Sequence, residues 1–434
     1  MEAEIKKQQS IQSNQLLKLE YVLGIVAIIS VFILGSVLLK TDMLFFRLLI
    51  GVGLGYTLTR AYTGFAGSIN RAYATGSTKL LRAMALMFFV TTLATTTFLL
   101  YSNPTNYDLW INPINVGLIA GGLLFGFGMA FSSCCASGVL TDLATGFPRA
   151  LITLLFFGIG IFIGFPIQHT ASWVSDSWFS TSIGSQLQGG VFLPDLFKWD
   201  GLNGYVGAIL LTALFCGITV YFAYRYERKR KQQNRYMEHE TEKLQEQPDT
   251  FDSKDYKLFS QATYNRVFIK PWSLKQGAIV ISVLFVLLMG VTKAGWGAST
   301  PFGIWFGKIV MFLGVSPESV ASFTKMSAEP FVLPFFEHPI SVQNFGILVG
   351  TVIYLLTAGK MKTMFLQGAH IQKREAALFA LGGITMGLGT RLANGCNVGA
   401  LFTPIANFSL SGWIFFIFLA LGGIIGNMLA KRLF

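Results

Sequence analysis

Apolar residues in this chain come in long runs rather than in alternation with polar ones. Runs with few internal charges cover 21–39, 43–59, 83–101, 116–133, 150–168, 205–224, 277–294, 343–358, 376–393 and 411–430. About 20 such residues let a helix cross the hydrocarbon layer. The pattern therefore predicts an all-α polytopic membrane protein with about ten spans. A shorter run, 302–315, reads as a re-entrant or interfacial piece. Several spans are short or broken by glycine, which predicts additional half-helices.

Charge sets the expected orientation. Twelve Lys and Arg fall in 225–275, and others fall in 60–82, in 359–375 and at Lys431 and Arg432. Loops 102–115 and 169–204 hold a single Lys and several Trp. The positive-inside rule then puts both termini and loop 225–275 in the cytoplasm of a bacterial inner membrane. The expected organisation is a polar N-terminal segment, 1–20, a first transmembrane half, 21–224, the basic loop 225–275, and a second half, 276–434. The first apolar run has no small-residue cleavage site after it and reads as a retained span.

Composition agrees with this picture. The chain is 53% hydrophobic and only 12% charged, against about a quarter charged in soluble domains. The net charge of +12 is concentrated in loops beside the spans, so it argues for a membrane partner and against nucleic acid. Four His at scattered positions give no metal-ligand spacing, and no cofactor site is expected.

An internal repeat carries the candidate chemistry. "GGLLFGFGMAFSSCCASG" (121–138) aligns without a gap on "GGITMGLGTRLANGCNVG" (382–399). Gly121, Gly122, Gly126, Gly128, Cys135 and Gly138 fall on Gly382, Gly383, Gly387, Gly389, Cys396 and Gly399 at a constant offset of 261. By the loop charges the two copies run in opposite senses, an inverted repeat of the kind transporters use around a midplane site. Each motif is followed by a small-polar turn holding the Cys, then a short apolar piece, then a break at Pro148 or Pro404. This predicts a half-helix whose free N–H groups and positive dipole end suit an anion.

The thiols add a weak S–H donor and a polarisable sulfur, matched to a soft sulfur- or selenium-containing solute. Ser133, Asn394 and Asn397 add neutral donors, and Arg391 is an intramembrane charge of the kind usually tied to function. Cys134 has Gly395 at its place in the second copy, and Cys216 reads as a buried apolar residue. The glycines either shape a path or simply let helices pack closely.

The paired "GGxxxGxG…CxxG" motifs resemble the YeeE/YedE family of bacterial inner-membrane, sulfur-transport-related proteins over most of the chain. That resemblance implies that Cys135 and Cys396 relay the substrate by S–H hydrogen bonding at a central constriction. Thiosulfate-uptake members also carry a Cys in an early R-x-x-F-C-F stretch. Here the stretch from Arg60 reads "RAYTGFAGSINRA", with Gly64 at the place of that Cys and Phe65 after it. This version, with the long basic loop and "GWGASTPFG", is more similar to the YedE branch, proposed as selenium transporters. The expected function is import of a small inorganic sulfur or selenium species, without enzymatic activity and with an uptake partner in the cytosol that handles the product. Thiosulfate uptake specifically, a membrane thiol redox protein and a membrane scaffold are the alternatives.

Overall fold

The computed structural model describes residues 2–247, 257 and 260–433, with side chains from Leu17 onward. Most of the N-terminal segment's side chains and residues 248–256 and 258–259 of the basic loop thus lie outside the described residues. The main helices are α1 (Glu2–Leu38), α2 (Asp42–Arg60), α3 (Phe65–Thr75), α4 (Lys79–Leu99), α5 (Val116–Ser132), α6 (Ala136–Thr145) and α7 (Phe147–Thr170). They continue as α8 (Tyr205–Gln232), α9 (Glu240–Gln245), α10 (Leu274–Thr292), α11 (Thr300–Phe312), α12 (Pro339–Thr357), α13 (Lys373–Leu392) and α14 (Leu410–Leu433).

Local chemistry sets where the helices begin. Thr41 caps α2 by accepting the Leu44 N–H, Asn115 caps α5 by accepting the Leu118 N–H, and Ser273 with Gln276 forms a capping box on α10. Ten segments among the described residues are long and apolar enough to span a bilayer, and each coincides with an apolar run of the sequence. The chain is a multi-pass membrane protein. The first basic residues of loop 225–275 lie inside α8, which runs unbroken to Gln232.

Glycine faces show how the helices are directed. A Cβ at Gly51 would strike the Gln343 carbonyl, and one at Gly55 the Ile347 carbonyl. Gly346 and Gly350 stand in the same relation to Leu48 and Val52, so α2 and α12 run parallel. Gly160 faces Ile384 and Gly164 faces Leu388 and Arg391, making α7 and α13 parallel. Gly122 faces Phe415 and Gly126 faces Gly423, making α5 and α14 parallel. Gly121 faces Gly389 while Gly128 faces Gly382, so the two motif helices, α5 and α13, run antiparallel.

Parity then decides the doubtful run 302–315. Five spans separate α2 from α12 if α11 does not cross, and an odd number between them makes the two parallel, as they are. A crossing α11 would make them antiparallel. At 13 residues α11 is only about 20 Å long, which is too short to cross. The two halves of the sequence interleave, since α2 packs on α12, α7 on α13, and α5 on α13 and α14.

Candidate functional site

Three of the ten membrane segments are broken inside: Asp42–Thr75, Val116–Thr145 and Lys373–Ala406. The breaks share one local form. A left-handed non-glycine residue comes first: Tyr62 (φ 47°), Ser133 (φ 54°) or Asn394 (φ 56°). Two residues later an extended N-cap restarts the helix: Gly64, Cys135 or Cys396. Asn tolerates the left-handed region; Tyr and Ser are strained there, by about 1–3 kcal/mol each, and persist only where surrounding structure holds them. The sequence placed the break at the prolines. In the first copy the chain does break there, at Gly146, with Pro148 in the first turn of α7, but Pro404 sits within the helical run that continues from Asn397 to Ala406, and both copies carry a further break before the cysteine. The free N–H groups of the restarted helices therefore belong to the cysteine turns themselves.

The restarts meet at Cys135. Its Sγ lies 3.5 Å from Ser137 Oγ and faces the backbone N–H groups of Gly138 in its own helix and of Ala66 at the start of α3. The Cys396 thiol lies within electrostatic range of Cys135 and of Arg391. All four cysteines are unpaired and buried. Phe65 and Phe402, each in the first turns of a restart, pack together at 6.0 Å and against Trp296 at 6.3 and 6.1 Å. Asn397 Nδ2 donates to the Met129 sulfur at 2.9 Å, and its Oδ1 is buried without a partner.

Gly64 differs from the two cysteines in one respect. A Cβ there would meet no atom within 4 Å. The position opens on a void of about 20 Å³ lined by Thr63, Phe65, Met84, Met87 and Ile281, enough for one water-sized guest.

On the side of Cys396 toward loops 102–115 and 169–204 lies a polar vestibule of about 400 Å³. Asp108, Trp110, Asn112, Gln168, His169 and Asn394 contribute to its wall. The Asn112 side-chain amide nitrogen is buried without a partner. The Trp110 ring lies over Gly399, where any side chain would collide with it, and closes the vestibule above the Cys396 turn. Behind the wall Arg391 donates to Gln168 Oε1 and Thr300 Oγ1, both at 3.2 Å, and Gln168 Nε2 donates to Asn394 Oδ1 at 2.6 Å. Arg391 is buried, its Nε has no partner, and among the described residues no carboxylate pairs with it. The Asp108 carboxyl is raised above its ordinary value by burial, an effect opposed by hydrogen bonds from Trp110 and Gln188.

The remaining candidates separate clearly. Gly126, Gly128, Gly387 and Gly389 face the backbones of neighbouring helices and serve close packing. The side chain of Ser133 is exposed, and its backbone makes the turn. Cys134 points elsewhere than Cys135: its thiol is in range of the Asp142–Arg149 ion pair, whose N–O distance is 2.7 Å. Cys216 is a core residue donating to the Ala85 carbonyl at 3.4 Å. Tyr62, Ala66, Trp110, Asn112 and Gln168 went unmarked in the sequence. Only Gln168, a polar residue at the end of an apolar run, gave a local signal.

The profile of the family described as "Sulphur transport" (Sulf_transp) matches residues 60–425. The chain belongs to the sulphur-transport family. Two relatives named "Probable transporter YedE", from Escherichia coli K12 and Salmonella typhimurium LT2, are 31% and 30% identical over 158 residues. These matches cover 36% of this chain and 38% of each relative, so the chain spans under half the length of those curated relatives. The "Thiosulfate transporter TsuA" of Spirochaeta thermophila is 24% identical over 347 residues, covering 78% of this chain and 84% of that protein. The sulphur-transport match begins at Arg60, just before the first break, and spans all three. Both family and relatives carry transporter names, which fits a membrane permease rather than an enzyme.

Proposed function

We propose that this member of the sulphur-transport family imports a small inorganic anion bearing a terminal sulfur or selenium atom. The anion would pass from the vestibule between Cys396 and Cys135 toward the basic face. The observation that carries this reading is the convergence of restarted helices around Cys135, with Gly64, Cys135 and Cys396 at equivalent cap positions. An N-cap thiol beside free N–H groups offers an anion hydrogen bonds without a fixed countercharge, so the ion is held and then released. The vestibule supplies Asn112, Gln168 and Asn394 as neutral donors, with the unneutralised Arg391 behind them.

The antiparallel packing of α5 and α13, with Gly121 against Gly389 and Gly128 against Gly382, is what two inverted copies would produce. It supports treating the motifs as an inverted repeat with the thiols near the midplane. The basic loops support a cytoplasmic location for that face and for both termini, where a soluble sulfur- or selenium-handling protein would receive the product. Gly64 leaves the third cap position open onto a small void, which supports a path that continues past the thiols.

Uptake of radiolabelled thiosulfate and selenosulfate into cells expressing the protein tests this reading. Accumulation of at least one of these above vector controls is expected. Accumulation of none would overturn it.

A further inference from the structure

On the basic face a second cavity, of about 540 Å³, lies between α4, α8, α10 and the segment 234–247 of the loop. It shares Ala83 and Leu274 with the void at Gly64. With Leu80 these residues form a small buried apolar cluster separating the two spaces. The cavity is where a solute leaving the Gly64 void would emerge.

Its walls and its cover carry opposite charge. Lys79, Arg82 and Lys275 belong to the helical wall. Glu238, Glu242 and Glu246 belong to the covering segment. Lys79 Nζ reaches Glu238 at 2.7 Å and Glu246 at 2.6 Å. Ser77 Oγ donates to Glu242 Oε2 at 2.6 Å, while Glu242 Oε1 is buried without a partner. Gln245 Nε2 donates to the carbonyls of Ala61, one residue before the strained Tyr62, at 2.6 Å and of Trp272 at 2.7 Å, and the Met237 N–H reaches the Thr75 carbonyl at 2.7 Å. Arg82 is held by Glu227 of α8 and lies over the Tyr224 ring. Removing the cover would take away four carboxylates, Glu238, Glu240, Glu242 and Glu246, against two cations, Arg235 and Lys243, and leave a cationic bowl with Glu227 at its rim.

We propose that segment 234–247 is a lid over the exit and that Lys79 is an exit-side binding site for a small oxyanion. An anion emerging past Ala83 and Leu274 takes Lys79 from Glu238 and Glu246, and loss of those two ion pairs loosens the lid, leaving only the Glu242, Gln245 and Met237 hydrogen bonds to hold it. The cover thus opens to the species being carried and stays shut otherwise. This rests on the anion-import reading above.

The test uses the purified full chain carrying Leu86→Cys, a cavity-wall position, with the chain lacking that change as the blank for maleimide labelling. The double variant Glu238→Gln/Glu246→Gln is expected to raise the labelling rate about fivefold, the shift two exposed ion pairs of this kind can sustain. Millimolar thiosulfate, selenite or sulfate is expected to raise it in the chain with intact carboxylates and to add nothing in the double variant. A labelling rate that responds neither to the variant nor to any of the anions overturns the lid. A response to the variant without one to any anion overturns Lys79 as the sensor. A labelling response alongside no uptake of any anion by the unaltered protein leaves the lid standing and overturns the import reading instead.

Discussion

Arg391 sits in a membrane helix with neutral partners only, and an intramembrane cation costs about 2.5–3.5 kcal/mol on insertion scales. A cost of that size calls for a compensating role, and attraction of an anion into the vestibule is the one its neighbours fit. Arg391→Gln keeps a donor toward Gln168 and Thr300 but removes the charge. It is expected to raise the KM for uptake about tenfold, equivalent to about 1.4 kcal/mol, with expression unchanged; an unaltered KM would remove Arg391 from the account. Asp108 works in the opposite sense. Its raised carboxyl pKa means that it takes up a proton, as pH falls, before a fully solvated Asp does. The same shift makes its contribution to stability largest at low pH and lost as pH rises through its raised pKa. Anion uptake should therefore increase as external pH falls toward the raised Asp108 pKa, and Asp108→Asn should flatten that rise. An identical profile in Asp108→Asn would assign the pH dependence elsewhere. The thiols were legible in the sequence because a repeat marked them. Asp108, Trp110 and Asn112 were not, since a loop's fold decides which of its residues line a cavity.

The decisive elements are the breaks. In the sequence they were assigned to Pro148 and Pro404, since proline is the residue most expected to end a helix. Proline is equally at home in the first turn of a helix, and Pro148 occupies such a place, while Pro404 is carried within the helical run from Asn397 to Ala406. The actual break residues, Tyr62, Ser133 and Asn394, have no common side chain; the repeat pairs Ser133 with Asn394, but nothing in the sequence joins Tyr62 to them. The glycine pattern was read as either path or packing, and packing holds for Gly126, Gly128, Gly387 and Gly389. This gives a contrast between glycines. Gly126→Val would drive a branched side chain into the Leu419 carbonyl and Gly423 and is expected to lower the detergent Tm by about 10 °C or to abolish folded expression, the penalty for overpacking a tight helix crossing. Gly64→Ala meets no atom and is expected to keep the Tm within a few degrees of the parent. Equal Tm losses in the two variants would contradict the packing described.

At the scale of the molecule, apolar runs and loop charges were enough to mark ten spans, because bilayer thickness fixes the length of every crossing helix. How the halves interleave was not legible; it depends on which glycine face meets which, and only Gly121–Gly389 and Gly128–Gly382 could have been guessed from the offset. The central claim is that Cys135 and Cys396, at the restarts of two oppositely directed elements, form one path. Its most direct test is the initial rate of uptake of the labelled anion in cells expressing the unaltered protein, Cys135→Ser, Cys396→Ser and Cys216→Ser at matched levels. The account predicts a loss of about tenfold or more for Cys135→Ser and for Cys396→Ser, since serine keeps size and hydrogen bonding but not the soft sulfur, with Cys216→Ser close to the unaltered rate. Equal rates in all four would contradict it.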